Sequence, residues 1–443
     1  MKKFFASKLF RAMWSIGLAA LLYWICPPCI SKTTIAIVLG TLVVLVNASS
    51  IISKAPIVTH VTRIFVGGLF IFSGFIKAND PLGFSYKLKE YFEVFTADSG
   101  LSIFESMAHI ALPLSIILCV SEMALGFMLL VGYKRNLTLG LLLAQITFFT
   151  FLTFYSACYN KVTTCGCFGD FLVLKPWESF WKDIVLMVAI TLLFAGKENI
   201  NERFNPLITT AVTIIAIVLS IAFPIYTYRN LPIFDFRAYK IGDNIKENMK
   251  PGIGYQPAVY ESLLEYKNLK TGEIKAFNQK DYMDSKIWED TLTWAWHNTV
   301  NNLVHDAINP PKIIDFSINN QNGEPITDSI LNNPNYQFLL VCYDITETAD
   351  DETLHAKIND LNKLASIDKI NVLGLTASDA KQVDDYKHKH QALYDFATSD
   401  GVVLKTIIRS NPGLVLIKNG TVIMNWHYNN FPSYSDVKQK YMK

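Results

Sequence analysis

The sequence predicts a polytopic α-helical membrane bundle of about seven spans, followed by a soluble α/β domain. Long apolar runs dominate residues 1–224, whereas residues from 230 onward combine mixed charges, Asn-rich turns and short apolar strands. A chain of 443 residues has room for one membrane bundle and one or two soluble modules. The formal net charge is +2 and there is no basic stripe, which excludes a nucleic-acid-binding surface.

Seven segments are apolar over about 20 residues, the length that spans a bilayer. They are residues 9–27, 33–53, 60–77, 107–132, 136–157, 178–196 and 206–225. The first has the basic start of a signal peptide, but no small-residue cleavage site follows it. We therefore expect it to be a retained anchor.

The distribution of basic residues predicts the orientation of the bundle. Lysines and arginines gather at one set of helix ends: Lys2, Lys3, Lys8, Arg11, Lys54, Arg63, Lys134, Arg135, Lys197 and Arg203. The positive-inside rule assigns these ends to the cytoplasm. We expect a protein of the bacterial inner membrane, with a cytoplasmic N-terminus and a periplasmic C-terminal domain. Its expected partners are the lipid bilayer and an extracytoplasmic protein.

Five cysteines fall at the helix ends assigned to the outside: Cys26, Cys29, Cys158, Cys165 and Cys167. An oxidising compartment allows such thiols to pair or exchange, so all five are candidate redox thiols. The CPPC spacing of the first two is typical of redox proteins, although the C-terminal end of a helix disfavours a thiolate. A static disulfide between the first two spans is the alternative.

Cys165 and Cys167 are separated by one glycine, so a disulfide within this triplet would be strained. We expect at least one of them to pair with Cys158, Cys26 or Cys29, and we expect the two clusters to lie within exchange reach. A structural disulfide in an exposed loop is equally compatible with the pattern. An all-thiolate zinc or copper site is a further alternative, but we predict no metal there.

Ionisable residues inside a membrane are functional candidates. Glu122 should face the bundle interior and find a hydrogen-bond donor, either as a proton-relay or quinone contact or as a structural carboxylate. Lys77 lies near the end of its span and could extend to the interface. Cys119 lies in mid-helix and is expected to be a packing residue. A quinone is the one cofactor that we consider.

The segment His60–Lys77, the pair Asp80-Pro81, the intramembrane Glu122 and the CGCFGD loop of residues 165–170 resemble DoxX-type membrane proteins and the related MauE branch. The resemblance covers about residues 60–196. It implies redox roles: quinone-linked oxidation in one branch and assistance to disulfide formation in another.

The soluble half begins after Pro310-Pro311 and alternates strands with helices, which is typical of βαβ organisation. We predict strands at 312–317, 338–343 and 370–376, helices at 350–366 and 379–393, and a hairpin of residues 413–417 and 421–426. The Asn419-Gly420 pair is a strong hairpin signal. Turns are predicted at Asn322-Gly323 and at Thr271-Gly272-Glu273.

This order resembles the TlpA and peroxiredoxin branch of the thioredoxin fold over residues 310–443. Pro412 stands where that fold keeps a cis-proline. Redox-active members carry CxxC after the first core strand, but here the chain reads Asp344 to Thr348 without a cysteine, and Cys342 lies within the strand. The resemblance therefore implies a client- or partner-docking domain without its own dithiol.

Five regions are expected: an N-terminal transmembrane hairpin (1–57), a DoxX/MauE-like four-helix membrane domain (58–200), a last transmembrane helix (201–230), a connecting extracytoplasmic region (231–309) and the thioredoxin-like domain (310–443). The expected function is a membrane-embedded thiol–disulfide or quinone-linked redox protein. The alternative is a non-enzymatic envelope scaffold with structural disulfides, so enzymatic activity stays open.

Overall fold

The computed structural model describes residues 55–159, 161–162 and 166–442. They form two compact units. The helical unit contains the described residues up to Arg237, together with the short segments Ile408–Gly413 and Trp426–Phe431. The α/β unit contains Ala238–Ile407, Leu414–Asn425 and the chain from Pro432 onward. The predicted spans 9–27 and 33–53 lie outside the described residues.

Seven α-helices make up the described part of the helical unit, and four of them are long and apolar enough to cross a membrane. These four are α1 (Pro56–Asn79), α4 (Ala111–Val131), α5 (Arg135–Tyr159) and α7 (Pro206–Asn230), and the other three are α2 (Pro81–Ser99), α3 (Ser102–His109) and α6 (Pro176–Ala195). Helix α6 occupies the predicted span 178–196, but Glu178, Lys182 and Asp183 interrupt its apolar character. Four spans are therefore confirmed by length and composition, and the predicted total of seven is not.

The predicted span 107–132 is divided into two helices, α3 and α4. The break falls at Ile110, and Pro113 lies in the first turn of α4, where its missing N–H costs no helical hydrogen bond. Helix α4 ends at Gly132, whose left-handed φ of 80° lets its N–H reach the carbonyl of Leu129.

Glycines allow helices α1 and α4 to approach closely. A Cβ added to Gly126 would lie 2.7 Å from the carbonyl oxygen of Gly67. A Cβ added to Gly74 would lie 2.8 Å from Cβ of Glu122 and 2.9 Å from the backbone nitrogen of Met123. Small residues at such crossings are the usual means by which membrane helices bring their backbones together. This crossing places Gly74 of α1 directly against Glu122 of α4.

The α/β unit contains a five-stranded sheet in the order β6-β5-β4-β7-β8. Its strands are β4 (Tyr336–Val341), β5 (Asn371–Thr376), β6 (Asp395–Thr398), β7 (Gly413–Lys418) and β8 (Thr421–His427). Strands β4, β5 and β6 are parallel, and β7 and β8 form the predicted hairpin. The helices around them are α10 (Thr327–Leu331), α11 (Glu352–Ile367), α12 (Ala380–His390), α13 (Gly401–Ile407) and α14 (Tyr434–Tyr441). The order agrees with the predicted thioredoxin-like domain, and the Asn411–Pro412 peptide is cis, as predicted.

The segment that precedes this sheet is a three-stranded antiparallel sheet in the order β2-β1-β3. Its strands are β1 (Val259–Asn268), β2 (Ile274–Phe277) and β3 (Trp294–His305), with the short helices α8 (Ile245–Asn248) and α9 (Gln279–Ser285) beside them. The predicted turn at residues 271–273 is confirmed, with Gly272 at φ 74°.

The predicted strand at 312–317 is wrong. The backbone N–H of Ile313 donates to Asn248 instead, at 3.1 Å. Just after the predicted strand, Asn319 makes isolated bridges to Pro325 and Thr398. The connection is therefore an irregular segment, although the predicted turn ending at Gly323 (φ 80°) is present.

Candidate functional site

Lys77 and Glu122 form a buried ion pair between α1 and α4. Nζ of Lys77 donates to Oε1 of Glu122 at 2.6 Å, and the two side chains are 3% and 2% exposed. The expectation that Glu122 finds a donor in the interior is confirmed. The expectation that Lys77 extends to the interface is wrong, because the carboxylate compensates its charge inside the bundle. Among the described residues, Oε2 of Glu122 has no hydrogen-bond partner.

Ser73 connects the same lysine to the loop that contains Cys167, hereafter the cysteine loop. Ser73 and Lys77 are four residues apart, so they share one face of α1. Nζ of Lys77 donates to Oγ of Ser73 at 3.0 Å, and that hydroxyl donates to the carbonyl oxygen of Cys167 at 3.2 Å. The ring of Phe149 lies 4.6 Å from the ammonium group and completes its surroundings.

Cys167 lies in a short 3₁₀ helix, Gly166–Phe168, and carries a buried thiol. It lines two adjacent cavities. Lys77 and Phe149 also line both. The first cavity also contains Glu122. The thiol, the ammonium group and the carboxylate therefore line one cavity.

A second buried carboxylate, that of Asp183 in α6, also lines the first cavity. Asp183 is fully buried, accepts from Oγ1 of Thr153 at 3.0 Å, and pairs with Nζ of Lys182 at 2.6 Å. Lys182 also lies 5.4 Å from the ring of Phe168. The cavity thus holds two lysines and two carboxylates beside one thiol. Each lysine is paired with a carboxylate, so the ammonium groups favour a thiolate there and the carboxylates oppose it.

Of the other four predicted redox cysteines, the structure describes only Cys158. Cys158, near the end of α5, is disulfide-bonded, and its partner cysteine lies outside the described residues. Cys26, Cys29 and Cys165 also lie outside them, so the predicted proximity of the two clusters stays a prediction. Cys119 is a fully buried thiol in α4, as expected of a packing residue.

The α/β unit lacks a reactive thiol in its described part. Cys342 follows β4 and is completely buried, and burial raises the pKa of its thiol to about 12. At neutral pH it stays protonated and is a poor nucleophile. The loop that begins at Asp344 contains no cysteine, as the sequence indicated.

Within the helical unit, Arg409 holds two carboxylates around the cysteine loop. Its Nε donates to Asp80 at 2.8 Å, and its Nη2 contacts Asp170, the last residue of the CGCFGD sequence, at 3.2 Å. Burial opposes the charge of Arg409, but the two carboxylates outweigh it and raise its pKa. Burial also raises the pKa of Asp170 despite the guanidinium beside it.

Lys182, Asp183 and Arg409 were not identified from the sequence. Lys182 and Asp183 could have been found as charges inside a predicted span. Arg409 had no such signal, because it lies 239 residues after Asp170.

The family model for the methylamine utilisation protein MauE matches residues 55–196, the region of α1 to α6. Protein TlpB of Flavobacterium psychrophilum is 25% identical over 171 residues, which are 37% of this chain and 44% of that protein. The chain thus spans less than half of this relative. The MauE part of the resemblance is therefore confirmed over about a third of the chain.

Two solved structures are similar to parts of the chain. One is a protein from Bacteroides thetaiotaomicron assigned as a disulfide isomerase, at 16% identity, and it covers 28% of this chain and 82% of its own. The other is BsSco of the Sco family of cytochrome c oxidase assembly proteins, at 17% identity, with coverages of 28% and 88%. Both have a TM-score of 0.24, which is too low to support an inference.

Proposed function

We propose that this chain is a membrane thiol–disulfide redox protein in which Cys167 is the exchanging thiol. The observation that supports this is the position of its thiol in a cavity shared with Lys77, Lys182 and Glu122. Ammonium groups favour the thiolate, which is the nucleophile in exchange. The confirmed MauE match covers the helices that supply these residues.

The proposed exchange step uses the disulfide of Cys158, nine residues before Cys167 in the chain. The Cys167 thiolate attacks one sulfur of that disulfide. A new S–S bond forms as the old one breaks, and the displaced sulfur leaves as a thiolate. That thiolate takes up one proton, which balances the proton that Cys167 lost. The step moves a disulfide within the protein without net oxidation.

Glu122 is the proposed proton acceptor for Cys167. Its Oε2 has no hydrogen-bond partner in the part of the chain that the structure describes, and it lines the same cavity as the thiol. The ion pair with Lys77 fixes the other oxygen, so the carboxylate is oriented with one atom available. This is the proton-relay role considered for Glu122 from the sequence.

Net oxidation of a client dithiol needs an acceptor of two electrons and two protons. We propose a membrane quinone, which becomes a quinol as the client dithiol becomes a disulfide. The client is an extracytoplasmic protein in the proposed topology, with the chain in the bacterial inner membrane and its C-terminal domain in the periplasm. The α/β unit then serves to dock the client, since Cys342 is buried and protonated.

Turnover in proteoliposomes tests this function. The full-length protein is supplied with dithiothreitol and a short-chain ubiquinone analogue, and quinone absorbance is followed. The wild type should reduce the quinone, Cys167→Ser should abolish the reaction, and Cys119→Ser should leave it intact because Cys119 packs in the apolar core and lines neither cavity. Equal rates for the wild type and Cys167→Ser, or no rate for the wild type, would overturn the proposal in favour of a scaffold with structural disulfides.

A further inference from the structure

Two histidines and an aspartate converge in the α/β unit, far in sequence from the redox cysteines. His355 lies in the first turn of α11, His390 is the last residue of α12, and Asp350 lies in the loop before α11. The two imidazole rings are 3.6 Å apart at an angle of 24°. One ligand atom from each of the three residues lies within 4.8 Å of the others.

The donor types match those of borderline transition metals. Two imidazoles and one carboxylate are ligands that suit zinc, copper and nickel. Oδ1 of Asp350 is 3.8 Å from Nε2 of His390. Ligands at about 2.1 Å from a tetrahedral ion are about 3.4 Å apart, so the three donor atoms, which lie within 4.8 Å of one another, must move closer together. Asp350 is exposed and can move, and the stacked imidazole rings must rotate out of their near-parallel arrangement to direct two nitrogens at one ion.

The surroundings of the histidines resemble the outer shell of a metal site. The hydroxyl of Tyr386 lies 3.3 Å from Nδ1 of His355, and Nε2 lies 3.1 Å from the carbonyl oxygen of Ala349, beside Asp350, a contact that a bound ion would replace. A metal-ligating histidine commonly bonds through its second nitrogen to such a partner. The carbonyl oxygen of His390 accepts from Asn359 at 2.9 Å, which fixes the end of α12. The C-terminal end of that helix also favours a cation.

Lys389 is the competing cation, because its Nζ is 2.6 Å from Oδ2 of Asp350. Lys389 contacts Oδ2 of Asp350, so Oδ1 stays directed toward His390.

We propose that Asp350, His355 and His390 bind a divalent transition-metal ion, with zinc as the best match, and leave one coordination position open. This site is independent of Cys167 and of the proposed redox function. It includes a residue of the loop that follows β4, the loop that carries CxxC in redox-active thioredoxin-like proteins. The ion would therefore bind beside the loop that carries the redox dithiol in those proteins.

Cobalt binding to the full-length protein in detergent tests the site. The protein is purified with a tag that lacks histidine, Co²⁺ is added, and its visible ligand-field absorption is titrated, followed by displacement with Zn²⁺. The wild type should bind one tightly held ion. His355→Ala and His390→Ala should each weaken binding at least tenfold, and Tyr386→Phe should weaken it by about tenfold to a hundredfold, as expected for a residue that supports a ligand.

His388→Ala is the matched control, because His388 lies on the same helix and is exposed. It should bind cobalt as the wild type does, whereas Lys389→Ala should bind more tightly, since its charge competes for Asp350. The far-ultraviolet circular dichroism of each variant shows that it is folded. No cobalt spectrum in the wild type, or equal losses in His388→Ala and His390→Ala, would overturn the proposal.

Discussion

Lys77 on α1 and Glu122 on α4 are joined by a 2.6 Å ion pair that is almost completely buried. Removing one partner of such a pair leaves an uncompensated charge inside the protein, which costs roughly 3–5 kcal/mol, whereas replacing both with apolar residues costs much less. We therefore expect Lys77→Met to be strongly destabilising and the double variant Lys77→Met/Glu122→Met to recover most of the loss. Denaturant unfolding in detergent measures both. Equal destabilisation by the single and double variants would contradict this account.

Gly74 should be far more sensitive to substitution than Gly68 on the same helix. A Cβ at Gly74 meets the backbone of Met123 at 2.9 Å, which cannot give way without separating the helices, whereas a Cβ at Gly68 meets nothing within 4 Å. Gly74→Ala should cost about 1–3 kcal/mol, and Gly68→Ala should be neutral or slightly stabilising. Thermal unfolding compares them. A neutral Gly74→Ala would show that the close crossing is not required.

Arg409 should control access to Cys167 as well as stability. Its two carboxylate partners include Asp170, three residues after the cysteine. Arg409→Gln leaves both carboxylates uncompensated and should cost roughly 2–3 kcal/mol, since Asp170 is partly solvated. Maleimide labelling of Cys167 should become faster as the loop loosens. Lys250→Gln, which removes an exposed pair with Glu247, is the control and should leave both measurements unchanged.

His427 should make stability fall in mildly acidic solution. Burial lowers the pKa of this histidine to about 4, whereas an unfolded histidine titrates near about 6.5. The unfolded chain therefore binds the proton first, so stability is complete above about pH 6.5 and is lost as the pH falls toward 4. The loss is at most about 3 kcal/mol. His427→Asn should flatten the melting temperature between pH 4 and 6.5, and a curve parallel to the wild type would refute this role.

Local signals in the sequence predicted much of the fold. The β7–β8 hairpin follows from Asn419-Gly420, because both residues take a positive φ (47° and 71°), which this pair tolerates at low cost. The apolar lengths of α1, α4, α5 and α7 identified them as spans. In contrast, β6 has only four residues, too few for a periodic pattern to stand out, and it was missed.

The site itself was only partly predictable, because its residues meet through tertiary packing. Glu122 was identified from its place in an apolar segment, but its partner Lys77 lies 45 residues away. The hydrophobic pattern does not fix the rotation of α1 against α4, which brings the two together. The glycines that permit the crossing are visible in the sequence, but many membrane helices contain such residues. The hydrogen bond from Ser73 to the carbonyl oxygen of Cys167 joins a helix to a loop, and it too depends on tertiary packing.

The redox state of Cys167 is the most direct test of the central claim. Membranes that contain the full-length protein are equilibrated in glutathione buffers of stepped potential, quenched with acid, alkylated, and mapped by mass spectrometry. Cys119→Ser serves as the background, so that a second buried thiol does not confuse the assignment. The account predicts that Cys167 passes from an alkylated thiol to a disulfide-linked peptide as the potential rises. A Cys167 that stays an alkylated thiol at every potential, with Cys158 locked in its disulfide throughout, would contradict it.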